Sequence, residues 1–190
     1  MGRDLALHIA VTHPQRLLGV LAIDPLGADG SAFPELDANL RRRMSDGEVA
    51  RVDELEARRR AGAVTHDELV ERFALVWPHY FLHPTTKVGP PNHIGVDAST
   101  GTNRSLSEHF ERRTLMNALP DVRLPALFVH GEQDPLPVWS TEQTAALVPG
   151  SRVLTVPDCG HFPWLEQPAR FATRWWNYSS STGSQACTSY

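Results

Sequence analysis

The chain has few of the features that mark exported or disulfide-stabilised proteins. Only two cysteines occur among its 190 residues, Cys159 and Cys187. Two cysteines do not make a disulfide framework, which small secreted domains build from several pairs. The sequence also begins without the charged and then apolar segment of a secretory signal peptide. These absences predict a protein of the reducing cytoplasm.

Long apolar runs and an excess of positive charge are missing as well. No apolar stretch approaches the roughly 20 residues that a transmembrane helix needs. The formal net charge is −4, so there is no electrostatic reason to bind nucleic acid or an anionic membrane. Hydrophobic residues make up 41% of the chain, as in ordinary globular proteins. The length suits one domain, or one domain with an insertion.

Short apolar runs that alternate with helical patterns predict an α/β fold. Residues 3–14 place apolar side chains at helical spacing, and an apolar run closed by Asp-Pro follows at 17–25. Such a run is typical of a strand buried on both faces. The alternation returns with apolar runs at 124–131 and 152–156 and helical patterns at 140–149 and 168–176. We therefore expect about three parallel strands with flanking helices.

The block between the first two strands, residues 27–115, has a different character. It is rich in arginine and in helix-favouring residues, and Thr65 with Glu68 forms a capping box before an apolar run. Residues 86–105 are rich in Gly, Pro, Ser and Thr and are interpreted as a loop, followed by a helix to residue 119. Residues 179–190 are polar and of low complexity, which predicts a disordered tail.

Asp134 and His161 carry the clearest chemical signal. Each lies in a Gly/Pro-rich loop directly after a predicted strand, in the segments GEQDPLP and CGHFPWLEQP. An acid and a histidine at the ends of successive parallel strands are two members of a nucleophile–His–acid triad. Each residue also has an ordinary interpretation, Asp134 as a turn residue before Pro135 and His161 as a surface histidine after a turn glycine.

These two segments resemble the C-terminal part of an α/β-hydrolase, in the lineage that includes proline iminopeptidase-like enzymes and esterases. The resemblance implies that Asp134 is the triad acid and His161 the general base. Residues 1–26 and 116–178 then correspond to the hydrolase core, and 27–115 to a helical cap that shapes the substrate pocket. The family needs no cofactor, and its substrates would be small molecules or short peptides with an ester, amide or peptide bond.

The same resemblance places the nucleophile just outside the sequence. Gly2 corresponds to the closing glycine of G-x-S-x-G, and Met1 to the residue whose backbone N–H joins the oxyanion hole. The nucleophile would be the residue before Met1, so the chain is expected to be a fragment that is inactive alone. A serine there indicates a serine hydrolase, and an aspartate a haloalkane dehalogenase or epoxide hydrolase. The alternative is an inactive remnant or a binding module.

The remaining candidate residues have competing interpretations. Trp77, Tyr80 and Phe81 either line the substrate pocket or pack within the cap. Glu166 is interpreted as an anchor of its loop, and Cys159 as a residue without a catalytic role. No histidine shows HExxH or Cys/His ligand spacing, so no metal site is expected. The sequence leaves the oligomeric state open.

Overall fold

A three-stranded parallel sheet forms the centre of the computed structural model, which describes residues 2–83, 89–90 and 95–173. Strands β1 (Val20–Ile23), β2 (Ala126–Gly131) and β3 (Arg152–Val156) lie in the order β1-β2-β3. The register pairs Val20 with Ala126 and Leu127 with Arg152. This confirms the predicted α/β fold, although β1 is shorter than the run at 17–25 because the ladder to β2 begins only at Val20.

Helices flank the sheet in the order that the sequence predicts. Helix α1 (Gly2–Thr12) precedes β1, and α7 (Val138–Ala146) connects β2 to β3. Helix α8 (Pro163–Glu166) follows β3, and residues 168–173 are helical again. The remainder of the last predicted helix and the predicted tail at 179–190 lie outside the described residues.

Among the described residues, five α-helices lie between β1 and β2. We call residues 27–115, as far as they are described, the helical insertion. They are α2 (Phe33–Arg41), α3 (Asp46–Arg60), α4 (His66–Val76), α5 (Val96–Glu111) and α6 (Thr114–Ala118). The capping box of Thr65 and Glu68 begins α4 as predicted, and Ser45 with Glu48 begins α3 in the same way. A 3-10 turn, Trp77–Tyr80, extends α4 towards the sheet.

The prediction of a loop at 86–105 is wrong for its second half. Helix α5 begins at Val96 and runs to Glu111. The interpretation rested on a composition rich in Gly, Pro, Ser, Thr and Asn, which is only a weak indication. No proline occurs between Val96 and Glu111, so nothing prevents the i to i−4 ladder from continuing into the amphipathic part of the helix. The helix predicted at 105–119 is interrupted at Arg113, which has a left-handed backbone with φ 53°.

Three apolar clusters hold these parts together. The largest includes Leu7 of α1 and Phe128 of β2, and a second, with Val129 and Val156, involves the same sheet. The third is the core of the helical insertion, and it contains the fully buried Leu136 from the loop after β2. The insertion therefore packs directly against the loop that carries Asp134. Within the described ranges, no helix has both the length and the apolar character needed to cross a bilayer.

Candidate active site

Three ionisable residues lie together where the parallel strands end. Asp24 directly follows β1, Asp134 lies shortly after β2, and His161 lies shortly after β3. The carboxyl ends of neighbouring parallel strands lie at one edge of a sheet, which is where α/β proteins commonly bind their ligands. Short loops after the strands therefore bring these side chains within reach of one another.

Asp134 and His161 make a direct contact. Nδ1 of His161 lies 2.6 Å from Oδ2 of Asp134, and the Leu136 N–H donates to Oδ1 at 2.8 Å. Both residues are buried, with 8% and 7% of their surface exposed. Because a carboxylate only accepts hydrogen bonds, Nδ1 carries the proton, and Nε2 is the basic nitrogen of the neutral ring.

A single carboxylate holds the loop of His161 in place. Glu166 Oε2 accepts hydrogen bonds from the N–H groups of Gly160 at 3.1 Å and Leu82 at 2.8 Å. Its other oxygen, Oε1, accepts from the Phe162 N–H at 3.1 Å. Glu166 therefore joins the residues on both sides of His161 to the helical insertion, which is the anchoring role that its position in the sequence suggested.

Two glycines allow the backbone segments around His161 to approach closely. A Cβ on Gly160 would lie 2.6 Å from both the Tyr80 carbonyl oxygen and the Leu82 nitrogen. A Cβ on Gly131, the last residue of β2, would lie 1.8 Å from the Gly160 carbonyl oxygen. The close approach lets the His161 N–H donate to the Tyr80 carbonyl at 2.9 Å. The position of the imidazole is thus tied to the main chain of the insertion.

Aromatic rings surround the imidazole. The Tyr80 ring lies 4.8 Å from the His161 ring, centroid to centroid, and the Phe162 ring lies at 5.1 Å. Trp77 and Phe81 are each 4.7 Å from the Phe162 ring. Of the three predicted pocket residues, Tyr80 therefore contacts the histidine directly, while Trp77 and Phe81 pack against Phe162.

A cavity of about 200 Å³ opens within the helical insertion, and Tyr80 belongs to its wall. Most of its lining is apolar, and the charged residues in it are paired: Arg41 with Asp37 at 2.6 Å, and Arg72 with Glu56 at 2.6 Å. The lining residues are Phe33, Leu36, Asp37, Leu40, Arg41, Met44, Val52, Arg72, Phe73, Val76 and Tyr80. Because the Tyr80 ring also packs against His161, the cavity and the histidine share one side chain.

Polar contacts from the insertion hold the loop of Asp134, and sequence reasoning missed them. Arg43 donates to the Gln133 carbonyl at 2.6 Å and to the His79 carbonyl at 2.9 Å. Asn39 donates to the Pro135 carbonyl at 2.7 Å. Arg43 is one of three successive arginines, and nothing in the sequence distinguishes it from its neighbours.

Asp24 is the other residue that sequence reasoning missed. It is fully buried, with a left-handed φ of 44°, and its Oδ1 accepts from the Gly131 N–H at 3.0 Å. Burial, together with the nearby charge of Asp134, raises the pKa of Asp24 well above its ordinary value. A signal for it exists in the sequence, because Asp24-Pro25 closes an apolar strand just as Asp134-Pro135 follows one.

Asp24, His130 and Asp134 have ligand atoms close enough together to hold a metal ion, all within 4.8 Å. The histidine, however, is already engaged at both nitrogens. Nε2 lies 2.9 Å from the Leu136 carbonyl oxygen, and Nδ1 lies 2.9 Å from Thr141 Oγ1. A ligating imidazole needs a nitrogen lone pair for the metal. The cluster is therefore organised as a hydrogen-bond network.

Cys159 and Gly2, which the sequence also singled out, have no hydrogen bond to Asp134 or His161 among the contacts described above. Cys159 is buried, and burial raises the pKa of its thiol to about 12, so a thiolate nucleophile is disfavoured at neutral pH. Gly2 is the first residue of α1. Met1 lies outside the described residues, and the oxyanion-hole role of Met1 and Gly2 stays a prediction.

The chain belongs to the α/β-hydrolase family. The model of the alpha/beta hydrolase family matches residues 5–174, which is most of the chain and includes both Asp134 and His161. This confirms the family expected from the segments GEQDPLP and CGHFPWLEQP.

The chain is similar to curated enzymes named for different reactions. The chain is 26% identical to 2-hydroxymuconate semialdehyde hydrolase of Pseudomonas putida, over 90% of this chain and 57% of that enzyme. It is 28% identical to pimeloyl-[acyl-carrier protein] methyl ester esterase of Stenotrophomonas maltophilia, over 87% of this chain and 61% of that enzyme. The chain thus spans about three fifths of the length of these curated relatives.

Solved structures support the same fold. The proline iminopeptidase of Mycobacterium smegmatis superposes with a TM-score of 0.62 at 20% identity, covering 96% of this chain and 63% of that one. Est816, an enzyme that degrades N-acyl homoserine lactones, gives a TM-score of 0.58 at 23% identity, covering 93% and 63%. At these identities the likeness shows the fold alone.

Proposed function

We propose that this chain carries the acid and the general base of a hydrolase that cleaves an ester, amide or peptide bond in a small molecule or short peptide. The observation that carries the proposal is the buried 2.6 Å contact between His161 Nδ1 and Asp134 Oδ2. It fixes the tautomer in which Nε2 is the base, which is the form that a triad requires. Membership of the hydrolase family supports this assignment.

In this mechanism Nε2 of His161 takes a proton from the attacking group and later returns it to the leaving group. Asp134 remains ionised, orients the ring and stabilises the imidazolium that forms between the two transfers. The Leu136 N–H supports this role, because it donates to Asp134 Oδ1 and stabilises the anion. The rings of Tyr80 and Phe162 limit the access of water to the imidazole.

The nucleophile in this proposal is the residue encoded directly before Met1, in a reading frame longer than the 190 residues. The curated relatives, which exceed this chain in length, support a longer frame. With a serine at that position, His161 activates its hydroxyl. With an aspartate, the substrate is instead an alkyl halide or an epoxide. The carboxylate attacks the carbon, the carbon–halogen or epoxide carbon–oxygen bond breaks, and His161 activates the water that hydrolyses the resulting alkyl ester.

The cavity beside Tyr80 supports a small apolar group as the part of the substrate that enters the insertion. Its volume of about 200 Å³ lies below the roughly 300–1,000 Å³ of drug-sized ligand pockets. The charges in its wall are already paired, so they offer no isolated charge to an ionic substrate group. Short-chain esters are therefore the first substrates to test.

The experiment is to express the chain together with its upstream coding sequence and to measure hydrolysis of short-chain nitrophenyl esters and labelling by a fluorophosphonate. His161→Ala and Asp134→Asn are each expected to lower turnover by about 100-fold or more. His13→Ala, at an exposed histidine after α1, is the matched control and should retain activity.

Labelling indicates a serine nucleophile, whereas turnover of a haloalkane or an epoxide without labelling indicates an aspartate. Undiminished turnover in His161→Ala would rule out the assigned base. An in-frame stop codon directly upstream of Met1, without strand-coding sequence before it, would leave the acid and base without their nucleophile and favour the inactive remnant.

A further inference from the structure

Asp24 is a buried titratable group at the site that the mechanism above does not use. Its backbone is fixed from both sides: its N–H donates to the Val129 carbonyl at 2.8 Å, and its Oδ1 accepts from the Gly131 N–H at 3.0 Å. None of its surface is exposed. Burying an ionised carboxylate costs free energy unless a partner compensates its charge. The protonation state of Asp24 therefore needs an explanation.

The groups that face Asp24 are Asp134, His130 and His161. A carboxyl oxygen of Asp24 lies within 4.8 Å of one of Asp134, and the charges of Asp134 and His161 act on the Asp24 carboxyl in opposite directions. Nδ1 of His130 lies 3.4 Å from Asp24 Oδ1. Two ionised carboxylates this close and this buried repel each other, because little water screens their charges. This repulsion favours a proton on one of the two acids.

The surroundings of the two acids decide where this proton resides. Asp134 accepts hydrogen bonds from the Leu136 N–H and from His161 Nδ1, and both favour its ionised form. The Gly131 N–H that donates to Asp24 by itself favours an anion, but the complete burial of Asp24 opposes the charge and favours the neutral form. His130 is within 2.9 Å of Thr141 Oγ1 and of the Leu136 carbonyl, an arrangement that suits a neutral ring and supplies no charge to Asp24.

We propose that Asp24 holds a proton at neutral pH and donates it in a hydrogen bond to Asp134, acting as a positioning residue for the acid of the dyad. This bond orients the Asp134 carboxylate towards His161. It also spreads the negative charge of Asp134 over more hydrogen bonds, which makes the histidine a weaker base than Asp134 alone would make it. The catalytic meaning of this role rests on the proposed function, whereas the protonation of Asp24 does not.

Nuclear magnetic resonance titration tests the proposal without an activity assay. The sample is the chain in its full reading frame, labelled with ¹³C and ¹⁵N. We expect the Asp24 carboxyl carbon to keep the shift of a protonated acid through neutral pH. A shift typical of an ionised carboxylate at pH 7 would overturn the proposal, and this measurement needs no variant.

Two substitutions extend the test to His161. Asn and Gly both tolerate the left-handed backbone at position 24. Asp24→Asn keeps a donor and carries no charge, so the pH at which His161 titrates should not change. Asp24→Gly removes the donor, which leaves Asp134 more basic and should raise the titration midpoint of His161 by about one pH unit.

The opposite results distinguish the alternatives. A lower His161 midpoint in Asp24→Asn would mean that the substitution removed a negative charge, so Asp24 was ionised. An unchanged midpoint in Asp24→Gly, with only a loss of stability, would mean that Asp24 is merely structural. Ester hydrolysis by the same samples is measured separately. If the proposed function fails, the titration results can still be interpreted.

Discussion

The site and the outer surface of the helical insertion each contain a contact to a carboxylate of nearly the same length, in different surroundings. His161 and Asp134 are 2.6 Å apart, and Arg51 and Glu71, between α3 and α4, are 2.7 Å apart. The Asp134 side chain is 0% exposed, whereas that of Glu71 is 42% exposed. Water and salt screen the second pair but hardly reach the first. The distance alone therefore says little about what a contact contributes.

This comparison predicts that a small substitution inside the site changes the free energy of unfolding more than a large substitution on the surface does. Gly131→Ala adds a methyl group 1.8 Å from the Gly160 carbonyl oxygen, so the two backbone segments must separate. We expect a loss of about 3 kcal/mol in the free energy of unfolding, at the upper end of overpacking effects. Urea denaturation measures this loss.

Gly47→Ala is the control for this substitution. Gly47 lies in the first turn of α3 with nothing within 4 Å of the added carbon. Its replacement should stabilise the chain by roughly 0.5 kcal/mol, since alanine is the better helix former. Equal losses for the two variants would show that the loops beside His161 adapt as easily as the surface does.

Glu166→Gln tests whether one carboxylate holds the His161 loop. The carboxylate accepts from three backbone N–H groups through both of its oxygens, whereas the amide has only one oxygen. We expect a loss of about 2 kcal/mol in the free energy of unfolding, because hydrogen bonds to a charged group are replaced and one N–H faces the amide NH₂. Glu142→Gln, at an exposed position in α7, should be neutral in the same measurement.

The pH dependence of stability tests whether the pKa of Asp24, the buried acid after β1, is raised in the folded chain. The folded chain raises the pKa of Asp24 through burial and through Asp134, while the unfolded chain restores a value of about 3.9. Between these two pKa values the folded chain holds one more proton, so the free energy of unfolding falls as pH rises, by about 1.4 kcal/mol per pH unit.

Asp24→Asn should lack this contribution. The stability of the variant relative to the unchanged chain is therefore expected to increase with pH above the ordinary value of an aspartate. Urea denaturation at stepped pH measures the difference between the two chains. Parallel curves for the two chains would contradict a raised pKa for Asp24.

Much of the fold and half of the site follow from local patterns. Apolar runs bounded by Gly and Pro predicted the strands, and Asp134 and His161 were identified because each follows such a run. The helix from Val96 was missed because residues 86–105 were judged by their Gly, Pro, Ser, Thr and Asn content as a whole, and Ser, Thr and Asn occur at helix ends as well as in loops. The register of the sheet and the closeness of Gly131 to Gly160 are tertiary facts that no local pattern contains.

Asp24 shows the limit of this reasoning most clearly. Its sequence context, an apolar run followed by Asp-Pro, matches that of Asp134, yet only the parallel neighbours β1 and β2 bring the two carboxyls together. Sequence alone cannot tell which of two such acids is ionised. The difference arises because the Leu136 N–H and His161 favour the anion of Asp134, whereas burial favours neutral Asp24. Both depend on how the loops fold.

The smallest effect is expected on the outer surface of the insertion. Arg51 pairs with Glu71 at 2.7 Å and with Glu54 at 2.6 Å, and all three side chains are at least one third exposed. Arg51→Met keeps the aliphatic stem that packs on the helix and removes only the screened charge. The urea midpoint should stay within experimental error at both low and high salt. A loss comparable to that of Glu166→Gln would show that these exposed pairs act as a coupled network, and a double-mutant cycle with Glu71→Gln would then measure the coupling.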